Sequence, residues 1–374
     1  MNKKIIWTIV GVIVVILIIV AFGVSRSNAG TVKVGALFPL TGGLAIYGEP
    51  AQKAAQLAMQ DINASGGING KQLDVVFQDH RCDPKTAVSA FEQLSAQGIK
   101  VFTSVACSGT VLSVAPELVT NQAILLGTTV TTPKITGVSP YVFRNWASDS
   151  QESKLFADQI TANGYKKVGE IYEVTDYAQG VAMNMQGFLK NSGVTFDAES
   201  FATGATDVRT QLTKIQSFKP DVILVSVQTV SSGEMVLTQM EQLGIKAKLF
   251  ITDNIVASPQ TVSAHKGLLE GAVGAEYVLQ SPDKASNVLN EYKAKYGTDC
   301  TQPTVCTGVY DAVQMLAKAI QSNGYSADGV KQYLSTISYD GSSGLIQFDQ
   351  NNDRKNANYS LFMVKNGQAE AVPQ

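Results

Sequence analysis

Five short, hydroxyl-rich segments follow apolar runs in this 374-residue chain, at 41–47, 107–110, 128–132, 175–177 and 252–254. They carry serines and threonines, the tyrosines Tyr47 and Tyr177 and the acids Asp176 and Asp253, and no histidine. Ligands of open parallel sheets bind beyond the carboxyl ends of the strands, so a site is expected in these segments. Their chemistry suits hydrogen-bonded recognition of a small polar molecule and offers no catalytic residue.

Ser108 lies in Cys107-Ser108-Gly109-Thr110, after a buried strand and at the opening of a helix. The free N–H groups and dipole of a helix start favour an anion, and a carboxylate suits them. The competing reading is a serine that only caps its helix. As a nucleophile Ser108 lacks the G-x-S-x-G flanks, and His80 and His265 stand in no evident relation to it. Asp253 ends an apolar strand, where it either holds an ammonium or caps a turn. Tyr47 and Tyr177 each precede a helix; they either enclose a ligand or close the hydrophobic staple of that helix.

Other signals dissolve. Asp349, Asn351 and Asp353 mimic the start of a calcium loop, but Arg354 replaces its glycine and Ser360 its glutamate. The turn from Gly66 to Lys71 is one residue short of a phosphate loop, with Gln72 in place of the hydroxyl residue. Asp79-His80-Arg81 reads as a solvated strand end. The cysteines Cys82, Cys107, Cys300 and Cys306 lack the C-x-x-C spacing of a metal site. No metal and no cofactor is expected.

Composition excludes further classes. Apolar residues make up 45% and charged residues 16%, which rules out a disordered chain or a coiled coil. The first 29 residues hold Lys3, Lys4 and Arg26 and no acid, leaving 26 basic against 31 acidic residues in the remainder. A mildly acidic body argues against nucleic acid as a partner. Residues 5–24 form an apolar run long enough to cross about 30 Å of hydrocarbon. It exceeds the roughly 7–15-residue core of a cleaved signal, although Ser27-Asn28-Ala29 supplies small residues for cleavage. Residues 1–29 are therefore a signal peptide or, by length, a membrane anchor, and the rest is exported. Export permits disulfides, and the sequential pairing Cys82–Cys107 and Cys300–Cys306 is expected among the possible connectivities.

The elements that must position these residues alternate. Strands are expected at 32–38, 73–78, 101–106 and 123–127, then at 167–172, 194–201, 221–227 and 248–252, with amphipathic helices between them. Asp83-Pro84 looks like an N-cap followed by proline at the first helical position. Alternation with apolar strands predicts an α/β protein of two doubly wound parallel-sheet lobes, with a ligand cleft between them. A helix at 309–319 and strand-like stretches at 344–348 and 359–364 belong to neither run. The chain is therefore expected to cross between lobes more than once, through a multi-strand hinge.

Four stretches recur in a known order: Val34-Gly35-Ala36-Leu37-Phe38-Pro39-Leu40-Thr41-Gly42 with Tyr47-Gly48, and Asp61-Ile62-Asn63-Ala64-Ser65-Gly66-Gly67-Ile68-Asn69-Gly70. Cys82-Asp83-Pro84 with Cys107-Ser108 follows, then Gly344-Leu345-Ile346-Gln347-Phe348-Asp349 with Asp353-Arg354. Through them the chain from Thr31 onward resembles the periplasmic leucine/isoleucine/valine-binding proteins, the substrate-binding components of branched-chain amino acid ABC transporters. The resemblance implies a type I periplasmic binding fold and a disulfide between Cys82 and Cys107. It further implies that Ser108, Thr131 and the backbone of Val130 hold an α-carboxylate and that Asp253 pairs with the α-ammonium. Tyr47 and Tyr177 would clamp the ligand, one from each lobe. Ala106 and Gln228-Thr229 depart from the family pattern, so the side-chain pocket is expected to differ.

The expected protein is an extracytoplasmic, non-enzymatic monomer that captures an amino acid, branched-chain or similar, and delivers it to ABC permease subunits. The rivals are a membrane-tethered sensor ectodomain of the same fold and a binder of an amide or aromatic acid. The expected lobes are 30–148 plus 278–355, and 149–277 plus 356–374.

Overall fold

The chain's structure, a computed structural model, describes residues 30–372. The signal or anchor expected at the N-terminus lies outside the described residues. Among the described residues no helix is long and apolar enough to cross a membrane.

Apolar runs that are buried on both faces make the first sheet. Its strands are β1 (Thr31–Phe38), β2 (Gln72–Asp79), β3 (Val101–Val105), β4 (Ile124–Thr128) and β5 (Val142–Arg144). They lie in the order β2-β1-β3-β4-β5 and pair in parallel throughout. Alternate side chains serve opposite cores, as a two-residue period requires. Val34, Ala36 and Phe38 face the helices Ala45–Ala64 and Pro303–Asn323, while Leu37 faces Pro84–Ser95 and Ser108–Thr120.

The second sheet holds β6 (Lys167–Glu173), β7 (Thr195–Phe201), β8 (Val222–Ser226), β9 (Lys248–Ile251) and β10 (Val273–Tyr277). A short separate hairpin joins β11 (Tyr339–Gly341) to β12 (Gly344–Ile346), so the stretch at 344–348 enters neither large sheet. The sheet is completed by β13 (Tyr359–Lys365) and β14 (Gln368–Ala371), in the order β14-β13-β10-β9-β8-β6-β7. The two last strands run antiparallel, which accounts for the stretch at 359–364 that the alternation left unassigned. The molecule is an α/β protein of two sheet-centred lobes, parallel at the heart of each.

The chain passes between the sheets after β5, after β10 and before β13. Two buried arginines fasten these passages. Arg144 donates Nε and Nη2 to the Asp353 carboxylate (2.9 and 2.6 Å) and Nη1 to the carbonyls of Thr131 (2.9 Å) and Thr132 (3.1 Å). Arg354 donates Nη1 to Tyr277 Oη (2.7 Å) and to the Asn145 carbonyl (3.2 Å). Burying a guanidinium is costly without such partners, and here its donors are shared among the crossing segments. Asp349 accepts the N–H groups of Asn351 and Asp353, so the calcium-like stretch is a turn closed by its own carboxylate.

Candidate functional site

The first wall of the site grows from the end of β3. Ala106 (φ +56°) and Cys107 (φ +57°) both adopt left-handed backbone, turning the chain sharply into the helix Ser108–Thr120. Two disulfides form in sequence order, and Cys82–Cys107 pins this turn to the end of β2. Ser108 Oγ accepts the N–H groups of Thr131 (3.1 Å) and Thr132 (3.2 Å) from the loop after β4. Those bonds occupy its lone pairs, so the hydroxyl hydrogen is what Ser108 can still donate.

The second wall comes from the lobe carrying β6 to β10. Thr175 caps the helix Asp176–Leu189 by accepting the Ala178 N–H, which seats Tyr177 in the first turn. Tyr177 Oη donates to Asp253 Oδ1 at 2.6 Å. Asp253 begins a short helix, Asp253–Val256; its N–H donates to Glu152 Oε1 (3.1 Å), and its Oδ1 accepts the Asn254 N–H (2.8 Å). Tyr47, in the first turn of the helix Ala45–Ala64, donates across the gap to Asn254 Oδ1 at 2.8 Å. Lys134 Nζ also bridges the lobes, to Asp176 Oδ1 at 2.9 Å.

Between the walls lies a cavity whose empty space, open mouth included, is about 570 Å³. Tyr47, Ser108, Thr131, Tyr177 and Asp253 all line it, joined by Thr129, Trp146, Gln228, Glu276, Gln302 and Thr304. Val130, whose backbone the resemblance assigns to the α-carboxylate, is not among the lining residues: its side chain packs in the core against the place where a Gly127 Cβ would sit, and its carbonyl accepts from Arg144. Thr129, one residue earlier, lines the wall. A correction concerns His80, which is fully buried. Its Nδ1 accepts the Cys82 N–H at 3.0 Å, and burial holds its pKa down at about 4. Neither histidine lines the cavity, so Ser108 has no imidazole base there.

Sequence reasoning missed three acids. Glu276, in β10, lines the cavity; Asp149 and Glu152, in the first turn of the helix Asp149–Ala162, are fully buried behind Asp253. Glu276 was findable by the rule that picked out Asp253, since it is a carboxylate at the end of an apolar strand. Asp149 and Glu152 look like ordinary acids at a helix N-terminus, where the dipole favours them. Burial pushes the carboxyls of all three well above their usual range, and the Asp253 charge raises them further. Burial likewise raises Asp253, while Tyr177 and Asn254 pull it back by hydrogen bonding. The phenols of Tyr47 and Tyr177 are raised by burial and then by Asp253, so both stay protonated and act as donors.

Two lobes that meet over a polar cavity at the carboxyl ends of their strands form the architecture of a small-molecule-binding protein. The chain belongs to the periplasmic binding protein family, whose model matches residues 31–369. This is a family of binding proteins, and membership implies an extracytoplasmic location. The leucine-, isoleucine-, valine-, threonine- and alanine-binding protein of Pseudomonas aeruginosa is 24% identical over 353 residues, covering 92% of each chain. The branched-chain amino acid transporter substrate binding protein LivJ of Streptococcus pneumoniae, solved with isoleucine, is 26% identical with a TM-score of 0.75. That match covers 91% of this chain and 99% of the other. A solute binding protein of an R. palustris ABC transporter, solved with benzoate, shares the fold at a TM-score of 0.76 and 17% identity, over 92% and 96% of the two chains.

Proposed function

We propose that this protein captures an amino acid by closure of its two lobes and hands it, as a monomer, to the permease subunits of an ABC transporter. The observation that carries the reading is one cavity with hydroxyls on one wall and a carboxylate on the other. Ser108 and Thr131 would receive the α-carboxylate, and Asp253, oriented by Tyr177, the α-ammonium. Each buried charge then gains charge-assisted hydrogen bonds, without which its burial would be unfavourable. Tyr47 closes over the ligand from the first lobe. The moving bodies are residues 30–148 with 278–355, and residues 149–277 with 356–374; the ligand shifts their open–closed equilibrium by fitting the closed form better.

Binding stabilises the folded state by mass action, so a true ligand raises the melting temperature. A thermal-shift screen of the twenty amino acids, small amides and aromatic acids is expected to single out amino acids. A response confined to benzoate-like acids would replace this reading with the one its R. palustris structural neighbour illustrates.

A further inference from the structure

The acidic wall holds more carboxyl groups than one α-ammonium can answer. Asp253 and Glu276 both face the cavity, and among the described residues no lysine, arginine or histidine lines it. Behind them, Glu152 is fully buried with Oε1 on the Asp253 N–H and Oε2 without a hydrogen-bond partner among the described residues. Asp149, also fully buried, has Oδ2 in the same condition. The nearby cation Arg144 is committed to Asp353 and to backbone carbonyls. Glu276 Oε2 is shut from solvent and likewise unpartnered. An orphaned carboxyl oxygen costs the full desolvation of that group, and of these acids Glu276 is the one that lines the cavity, where a ligand's donor can meet it.

The rest of the lining agrees. Gln302 and Thr304 add hydrogen-bonding groups, and Trp146, stacked on Tyr277 with ring centroids 3.9 Å apart, adds an aromatic face suited to a cation. A branched aliphatic side chain would leave Glu276 unanswered, and an aromatic carboxylate would add a like charge beside it.

Building on the amino-acid reading, we propose that the ligand is a dibasic amino acid, of the lysine, ornithine or arginine kind, whose side-chain cation is received by Glu276. Asp253 keeps the α-ammonium. The ligand's second cation then supplies the hydrogen-bond donors that Glu276 lacks and favours its ionised form.

Calorimetry on the exported chain with L-lysine, L-ornithine, L-arginine, L-leucine, L-isoleucine and benzoate tests this directly. At least one dibasic amino acid is expected to bind about tenfold or more tighter than leucine, and Glu276→Gln to shrink that preference by a similar factor. Because the wild-type ranking is itself decisive, a Glu276→Gln protein that fails to fold does not shelter the idea. Leucine or isoleucine binding as tightly as every dibasic ligand, or a preference unmoved by Glu276→Gln, overturns the dibasic assignment and leaves the amino-acid reading standing. Binding of benzoate alone, or no amino-acid heat at about 1 mM, overturns both.

Discussion

Ser108, Thr129 and Thr131 meet the cavity from the first lobe as neutral hydroxyls, fixed by a left-handed turn, a disulfide and backbone N–H groups. Asp253 and Glu276 meet it from the second lobe as carboxyl groups backed by two further buried acids. The neutral wall is held in place before a ligand arrives, because backbone N–H groups donate to the Ser108 and Thr129 hydroxyls and leave their hydrogens to a ligand. The acidic wall is left short of donors, so its electrostatics are finished only by a cation. Under the proposed closure, one lobe supplies a preformed seat and the other the carboxyl groups that draw a cation in, and the second should dominate affinity.

The largest effect is expected at Asp253. Replacing it with alanine leaves a ligand ammonium without its partner, costing on the order of 2–5 kcal/mol of binding free energy. Calorimetry of Asp253→Ala with the tightest ligand from the screen measures it, and an unchanged affinity would refute the ammonium assignment. The lobes should also respond to pH with opposite signs. Glu170, sealed in the second lobe with only the Ser226 hydroxyl at 2.6 Å, is pushed by burial from 4.5 up to about 8. The folded state keeps that proton after the unfolded chain has released it. Its stabilising share is thus full below pH 4.5 and is lost as pH rises towards 8, by a few kcal/mol to order of magnitude. His80 in the first lobe runs the other way: burial lowers it from 6.5 to about 4, so its share is full above 6.5 and is lost as pH falls to 4. Denaturant melts across this pH interval should flatten at the alkaline side in Glu170→Gln and at the acid side in His80→Asn. Parallel curves for wild type and variants would show that neither group titrates in the folded state as burial requires.

The same contrast explains what the sequence made legible. Strands β1 to β4 and β6 to β9 could be read because long apolar runs alternate with helix-capping residues such as Asp83-Pro84. The three-residue β5 and the antiparallel β13 and β14 could not be placed, since their pairing is decided by partners far along the chain. Ser108, Thr131, Tyr47, Tyr177 and Asp253 were legible because strand ends and helix starts mark them locally. Asp149 and Glu152 were not: nothing local distinguishes a buried acid in a first helical turn from a solvated one. His80 was misread for the same reason, with polar neighbours on both sides hiding a ring tucked under the disulfide turn.

A smaller effect tests whether the neutral wall is as self-sufficient as its bonds imply. Ser108→Ala leaves the Thr131 and Thr132 N–H groups without their acceptor in a buried loop, a cost of about 1–3 kcal/mol. Most of that loss should appear in the melting temperature of the ligand-free protein. Should the loss appear in affinity alone, Ser108 would be a ligand contact with little structural share.

The smallest effect isolates closure itself. Tyr47 Oη reaches across the gap to Asn254, whose own N–H donates to Asp253, so this one bond ties the first lobe to the acidic wall. Tyr47→Phe keeps the ring over the cavity and removes only the tie, which is worth about 0.5–1.5 kcal/mol. Affinity should fall roughly twofold to tenfold, chiefly through faster release, because the bond exists only when the lobes meet. Asn254→Ala removes the same tie from the other side, so the double variant should lose less than the sum of the two single losses. Strict additivity, or release rates equal to wild type in stopped-flow measurements, would mean that the lobes are held together by the ligand and the acidic wall without help from this pair.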